Sequence, residues 1–138
     1  MNTLHSQAHW IATAQGKLFA QEWAPLQAQG APIVLLHDSL GCVALWRDFP
    51  AQLAQATGHR VIAYDRLGFG RSDAHPGLLR LGFVEDEAQQ GFTALRDYFG
   101  LGDFIVFGHS VGGGMAVVWY TGQFYAPVSY THLTLPTN

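Results

Sequence analysis

Three uninterrupted apolar runs punctuate the chain: Ile33-Val34-Leu35-Leu36, Val61-Ile62-Ala63-Tyr64 and Phe104-Ile105-Val106-Phe107. A strand with one face in water alternates apolar and polar residues. Continuous runs of this length predict strands covered on both faces, as in a parallel sheet. Between the runs the apolar period becomes helical. Phe49, Leu53 and Ala56 recur at i, i+4 and i+7 and predict the core face of a first helix, which Asp48 and Pro50 would start and Gly58 would stop. Ala88, Phe92, Leu95 and Phe99 keep that spacing in a second helix. Its Gly91 costs about 1 kcal/mol relative to alanine, and Gly100 ends it. The segment after Ser110 is apolar nearly all round, which predicts a third helix buried against the sheet. Ahead of these, Trp10 to Ala14 and Lys17 to Trp23, joined by Gln15-Gly16, read as an antiparallel hairpin that opens the sheet at one edge. The expected class is α/β: a hairpin followed by βαβαβα with a parallel sheet.

Composition narrows the function classes. With 138 residues, 49% hydrophobic and 12% charged, the chain is long enough for one domain and suits a buried core. A net charge of −3 provides no electrostatic footprint for nucleic acid or an anionic membrane. The start lacks a basic region followed by an apolar core, and no apolar run reaches a membrane span, so the expected location is cytoplasmic. Cys42 is the single cysteine, which leaves no intrachain disulfide. It reads as a small buried hydrophobe.

The chemistry lies in Gly108-His109-Ser110-Val111-Gly112, directly after the third apolar run. This is the G-x-S-x-G pattern of a nucleophile elbow, a strand that turns at once into a helix with a strained serine at the bend. Small residues at Gly108 and Gly112 let strand and helix approach closely. The helix would aim its free N–H groups at the site, with the Val111 N–H as an oxyanion donor. A phosphate loop is excluded: Gly114 stands where its lysine would be, and no G-x-G-x-x-G follows a predicted strand. No cofactor or metal is implied, and the expected partner is a small-molecule substrate.

Two other loops agree. The first run leads into His37-Asp38-Ser39-Leu40-Gly41, and the second into Asp65-Arg66-Leu67-Gly68-Phe69-Gly70-Arg71-Ser72. In this order the three motifs resemble the α/β-hydrolase superfamily over residues 8 to 127, most of all its small esterases, enol-lactonases and proline iminopeptidases. The resemblance implies Ser110 as nucleophile and the N–H groups of Val111 and Ser39 as the oxyanion hole. It assigns Gly108, His109, Gly112, His37 and Asp65 to support of the elbow and loops. His37 would shape its loop without taking the proton, and His109 would pack or support. Asp65 and Arg66 look like a charged pair, with the expected role of holding their loop. The family usually has glycine after the loop histidine. Asp38 there would oppose a developing oxyanion unless it points away or is paired. Trp46 is placed either to wall an acyl pocket or to pack in the core, and His75 in a solvated turn.

The triad of this family runs Ser, Asp/Glu, His. After Ser110 the chain has no Asp or Glu, and its only histidine is His132. The tail from Val128 to Thr137 resembles the in-frame translation of a transposase adapter used in preparing sequencing libraries. In that frame codon 127 ends in C and T, which encodes Ser, Pro, Thr or Ala, and residue 127 is Pro. Residues 1–127 are therefore expected to be the N-terminal half of a serine hydrolase of ester, lactone or amide bonds, inactive without its base and acid. Residues 128–138 are expected to be foreign. The composition of the tail also suits a strand. The alternatives are an aminopeptidase of the proline iminopeptidase type and a non-catalytic binding protein of the same fold.

Overall fold

The structure, a computed structural model, describes residues 4–38, 41–77, 81–118 and 128–133. Its six strands are β1 (Leu4–Thr13), β2 (Gly16–Pro25), β3 (Ile33–Leu36), β4 (Val61–Tyr64), β5 (Phe104–Gly108) and β6 (Val128–Leu133). They form one sheet in the order β1-β2-β4-β3-β5-β6. The hairpin pairs antiparallel within itself and with β4, while β4, β3, β5 and β6 run parallel. The helices are α1 (Phe49–Thr57), α2 (Phe83–Gln89), α3 (Gly91–Phe99) and α4 (Val111–Val118), with a 3-10 turn at Val43–Trp46.

All four residues of both β3 and β4 are buried, as their continuous apolar runs require. Alternation along each strand splits the core. Val34, Leu36, Ile62, Tyr64, Phe104 and Val106 join Phe92, Leu95 and Met115 under α2, α3 and α4. Ile33, Leu35, Val61 and Ala63 join Val43 and Ala54 on the α1 side.

Three expectations shift. The hairpin turn is Ala14-Gln15, because Thr13 pairs with Gly16 and the Thr13 hydroxyl donates to the Gly16 carbonyl at 2.6 Å. The first helix buries Pro50 and Ala54 while Ala56 is exposed; Phe49 and Leu53 pack at its margin. The second helix is two, broken at Gln90 (φ −111, ψ −75), so Ala88 belongs to α2 and Phe92, Leu95 and Phe99 to α3. Gly91 there lies against the Glu87 carboxylate, where a Cβ would collide. As the composition of the tail allows, β6 pairs along β5, with Phe107 opposite His132.

Candidate active site

Three loops meet at the C-terminal ends of β3, β4 and β5. At the elbow, Ser110 has φ 58, in the left-handed region that side chains rarely adopt. The bend is fixed on both sides. The His109 N–H donates to the Leu36 carbonyl at 3.1 Å, and the Gly112 N–H to the His109 carbonyl at 3.0 Å. A Cβ on Gly112 would fall on the Leu36 carbonyl oxygen and 2.9 Å from the His37 carbonyl oxygen. Glycine is needed there so that α4 can start against the end of β3. Gly108 is buried and pairs with Leu36. Ser110 and Val111 are half-buried at the N-terminus of α4, whose dipole favours negative charge at that end.

The loop after β3 is held from beneath. The buried His37 imidazole donates from Nδ1 to the Asp38 carbonyl at 2.7 Å and accepts the Arg66 N–H at Nε2 at 3.1 Å. Both ring nitrogens are engaged. Burial, and then the Arg66 charge, push its pKa down to about 4, so the ring is neutral and bound into the loop. The Arg66 guanidinium donates to the His37 carbonyl at 2.8 Å and to the Asp38 carbonyl at 2.9 Å, and lies 4.8 Å over the Phe69 ring. Gly41 also donates to the Asp38 carbonyl. Ser39, the expected second oxyanion donor, lies outside the described residues.

Asp65 organises the loop after β4. One carboxylate oxygen accepts the Val43 N–H at 2.5 Å and the other the Arg71 N–H at 2.8 Å. Burial raises its pKa, against the pull of those two N–H groups. Its carbonyl accepts the Ser72 hydroxyl at 2.6 Å, and Ser72 Oγ in turn accepts the Phe19 N–H. The expected Asp65–Arg66 pair thus divides its work. Asp65 ties its own loop to the turn at Val43, and Arg66 reaches across to the loop after β3. Sequence reading missed the reach of Arg66. The available signal was a lone arginine following a buried strand, where loop carbonyls need donors.

Asp38 and His109 face each other, Oδ2 to Nδ1 at 3.6 Å, with side chains 37% and 56% exposed. The Asp38 charge is therefore met by a neighbour on the elbow. His109 is exposed and does not pack, which corrects that part of the expectation. Both border a cavity of about 270 Å³ with Gly41, Cys42, Leu45 and Trp46. Besides bordering this cavity, Trp46 stacks on Phe49 at 5.6 Å and meets Phe107 edge-on, as expected of a packing residue. A larger cavity, about 440 Å³, opens on the α2 side between Arg66, Phe69, Phe83 and Glu87. Glu87 there accepts the Tyr64 hydroxyl at 2.6 Å, and burial raises its pKa. His75 is exposed and binds the Gly77 carbonyl. Among the described residues no group of three His, Cys, Asp or Glu side chains could hold a metal ion, and no helix is long and apolar enough to cross a membrane.

A mostly parallel sheet with a strained serine between its strand and helix defines a hydrolase fold of the α/β kind. Residues 31–124 match the family described as alpha/beta hydrolase fold, and the chain belongs to that family. It is 32% identical over 96 residues to a proline iminopeptidase of Lactobacillus helveticus, covering 67% of this chain and 31% of that protein. It is 34% identical over 104 residues to the human (lyso)-N-acylphosphatidylethanolamine lipase, covering 74% and 29%. The carboxylesterase CesB of Bacillus subtilis superposes with a TM-score of 0.67 at 26% identity, over 84% of this chain and 38% of that one. The chain thus spans about a third of the length of the relatives it matches.

Proposed function

We propose that the chain is the nucleophile-bearing part of a serine hydrolase that cleaves carboxylic ester, lactone or amide bonds. The observation that carries this is the left-handed Ser110 between β5 and α4, with Gly112 seated on the carbonyls ending β3. In this reading Ser110 Oγ attacks the carbonyl carbon as its proton passes to a histidine base. The oxyanion is held by the Val111 N–H and by an N–H of the loop after β3, for which Ser39 is the candidate. The leaving group takes the proton and departs, and water then attacks the acyl-serine and frees the acid. His37 does not serve as the base, since its nitrogens are committed to the Asp38 carbonyl and the Arg66 N–H. The base and acid would come from sequence beyond this chain, with residues 128–138 foreign to the protein. The short span relative to its relatives supports that reading.

An aminopeptidase is the second reading. It is favoured by the proline iminopeptidase relatives.

The experiment is to read the source gene through codon 127 from unfragmented DNA and to express the complete reading frame. The expected result is an acid and then a histidine downstream, with ester or aminoacyl amide hydrolysis that falls about 10⁶-fold in Ser110→Ala. Turnover that survives Ser110→Ala, or a frame that ends with the present tail, refutes the proposal.

A further inference from the structure

β1 is an edge strand of ten residues, Leu4–Thr13, and its pairing with β2 runs from end to end without a bulge. Which amides face outward follows from β2. The Lys17 N–H donates to Asp73 and the Phe19 N–H to Ser72, both away from β1. Their partners Ala12 and Trp10 therefore turn their own N–H and C=O groups away from β2, and by alternation so do Ala8, Ser6 and Leu4.

Natural sheets blunt such an edge with lysine, inward charge, proline or a bulge. None of these is present: Leu4-His5-Ser6-Gln7-Ala8-His9-Trp10-Ile11-Ala12-Thr13 has no Pro, Lys, Arg, Asp or Glu. His9 is committed inward, to Glu22 at 2.8 Å and to the Tyr98 hydroxyl at 3.1 Å. The five outward residues also fit their own copy. Two β1 strands brought together antiparallel about a two-fold axis at Ala8 place Ala8 opposite Ala8, Ser6 opposite Trp10 and Leu4 opposite Ala12. Each large side chain meets a small one, and no charge meets a like charge. Trp10 is 50% exposed in the single chain and would be covered by Ser6 of the second copy.

We propose that β1 is a homodimer interface, a second copy of this chain extending the sheet across the Ala8 axis through ten backbone hydrogen bonds, one from each of five outward N–H groups per strand.

Sedimentation velocity on the purified product of the complete reading frame over a concentration series tests it. The wild type is expected to reach twice the monomer mass. Ala8→Pro removes the central outward N–H while leaving the ladder to β2 intact, because that N–H faces away from β2. Ala8→Lys supplies the missing edge charge, and decides the matter if the proline variant does not fold. Each is expected to weaken the dimer about tenfold or more, with an unchanged far-UV circular dichroism spectrum. A wild type that stays monomeric throughout, or a dimer that neither substitution weakens, overturns the proposal.

Discussion

Gly112→Ala tests how closely α4 must approach β3. The added methyl would fall on the Leu36 carbonyl oxygen and 2.9 Å from both the Leu36 carbonyl carbon and the His37 carbonyl oxygen. These are backbone atoms at the end of a fully buried strand, so no rotamer change relieves the contact. Normal van der Waals distance requires α4 to retreat by about 1 Å. Overpacking of this kind costs about 1–3 kcal/mol, and the better helix propensity of alanine returns part of it in the first turn. The net loss is about 2 kcal/mol, which at about 4 °C per kcal/mol for a chain of this size lowers Tm by about 8 °C. The assay is thermal unfolding followed by circular dichroism, with Gly102→Ala as control. A Cβ at Gly102 meets nothing within 4 Å, so its Tm is expected to stay near the wild type. A Gly112→Ala melt within about 2 °C of wild type, or a Gly102→Ala melt equally lowered, refutes the close-approach argument. On the proposed reading, in which the Val111 N–H holds the oxyanion, the same displacement is expected to cost the product of the complete reading frame about 100-fold in turnover.

Two predictions concern the loop after β3. Arg66→Met removes the donors to the His37 and Asp38 carbonyls. The Asp38 carbonyl keeps its His37 and Gly41 donors, so the loss falls on the His37 carbonyl and costs about 1–3 kcal/mol, offset in part because a buried charge is also removed. A net loss of about 1 kcal/mol in urea unfolding is expected, with faster hydrogen exchange at the Gly41 amide, and unchanged stability refutes the clamp. His37 is expected to stay neutral on acidification until about pH 4. Its folded pKa lies below the ordinary 6.5, so its contribution to stability is complete above pH 6.5 and is lost as pH falls from 6.5 to about 4. Ring nitrogen shifts in a ¹⁵N NMR titration check this, and a midpoint near 6.5 contradicts the buried, doubly bonded imidazole.

The positions of β3 and β4 were legible because burial on both faces leaves an unbroken apolar run of strand length; β5 carries such a run too, although Ile105 and Phe107 on one face are only half-buried. The elbow was legible because its glycines and serine are contiguous and follow such a run. Elements whose boundaries depend on contacts with other elements were less so. The break at Gln90 was hidden because the 3.6-residue spacing from Ala88 to Phe99 continues through it, while the Glu87 side chain that occupies the space at Gly91 belongs to a contact with Tyr64. Ala56 fits the apolar period of α1, yet the helix turns Pro50 and Ala54 to the sheet.

The amino-acid order alone determined the α/β class, the hairpin at the sheet edge, the order of the three loops and the serine at the elbow. These are local properties, set by side-chain period and by the few residues that allow a sharp turn. The tertiary structure decided how the loops are held. Arg66 reaches the carbonyls of His37 and Asp38, Asp65 binds the amides of Val43 and Arg71, and His109 meets Asp38. Except for Asp65 with Arg71, these partners are more than twenty residues apart in the chain. Only the parallel alignment of β4, β3 and β5 brings their C-terminal ends together, so that groups distant in sequence satisfy one another's hydrogen bonds.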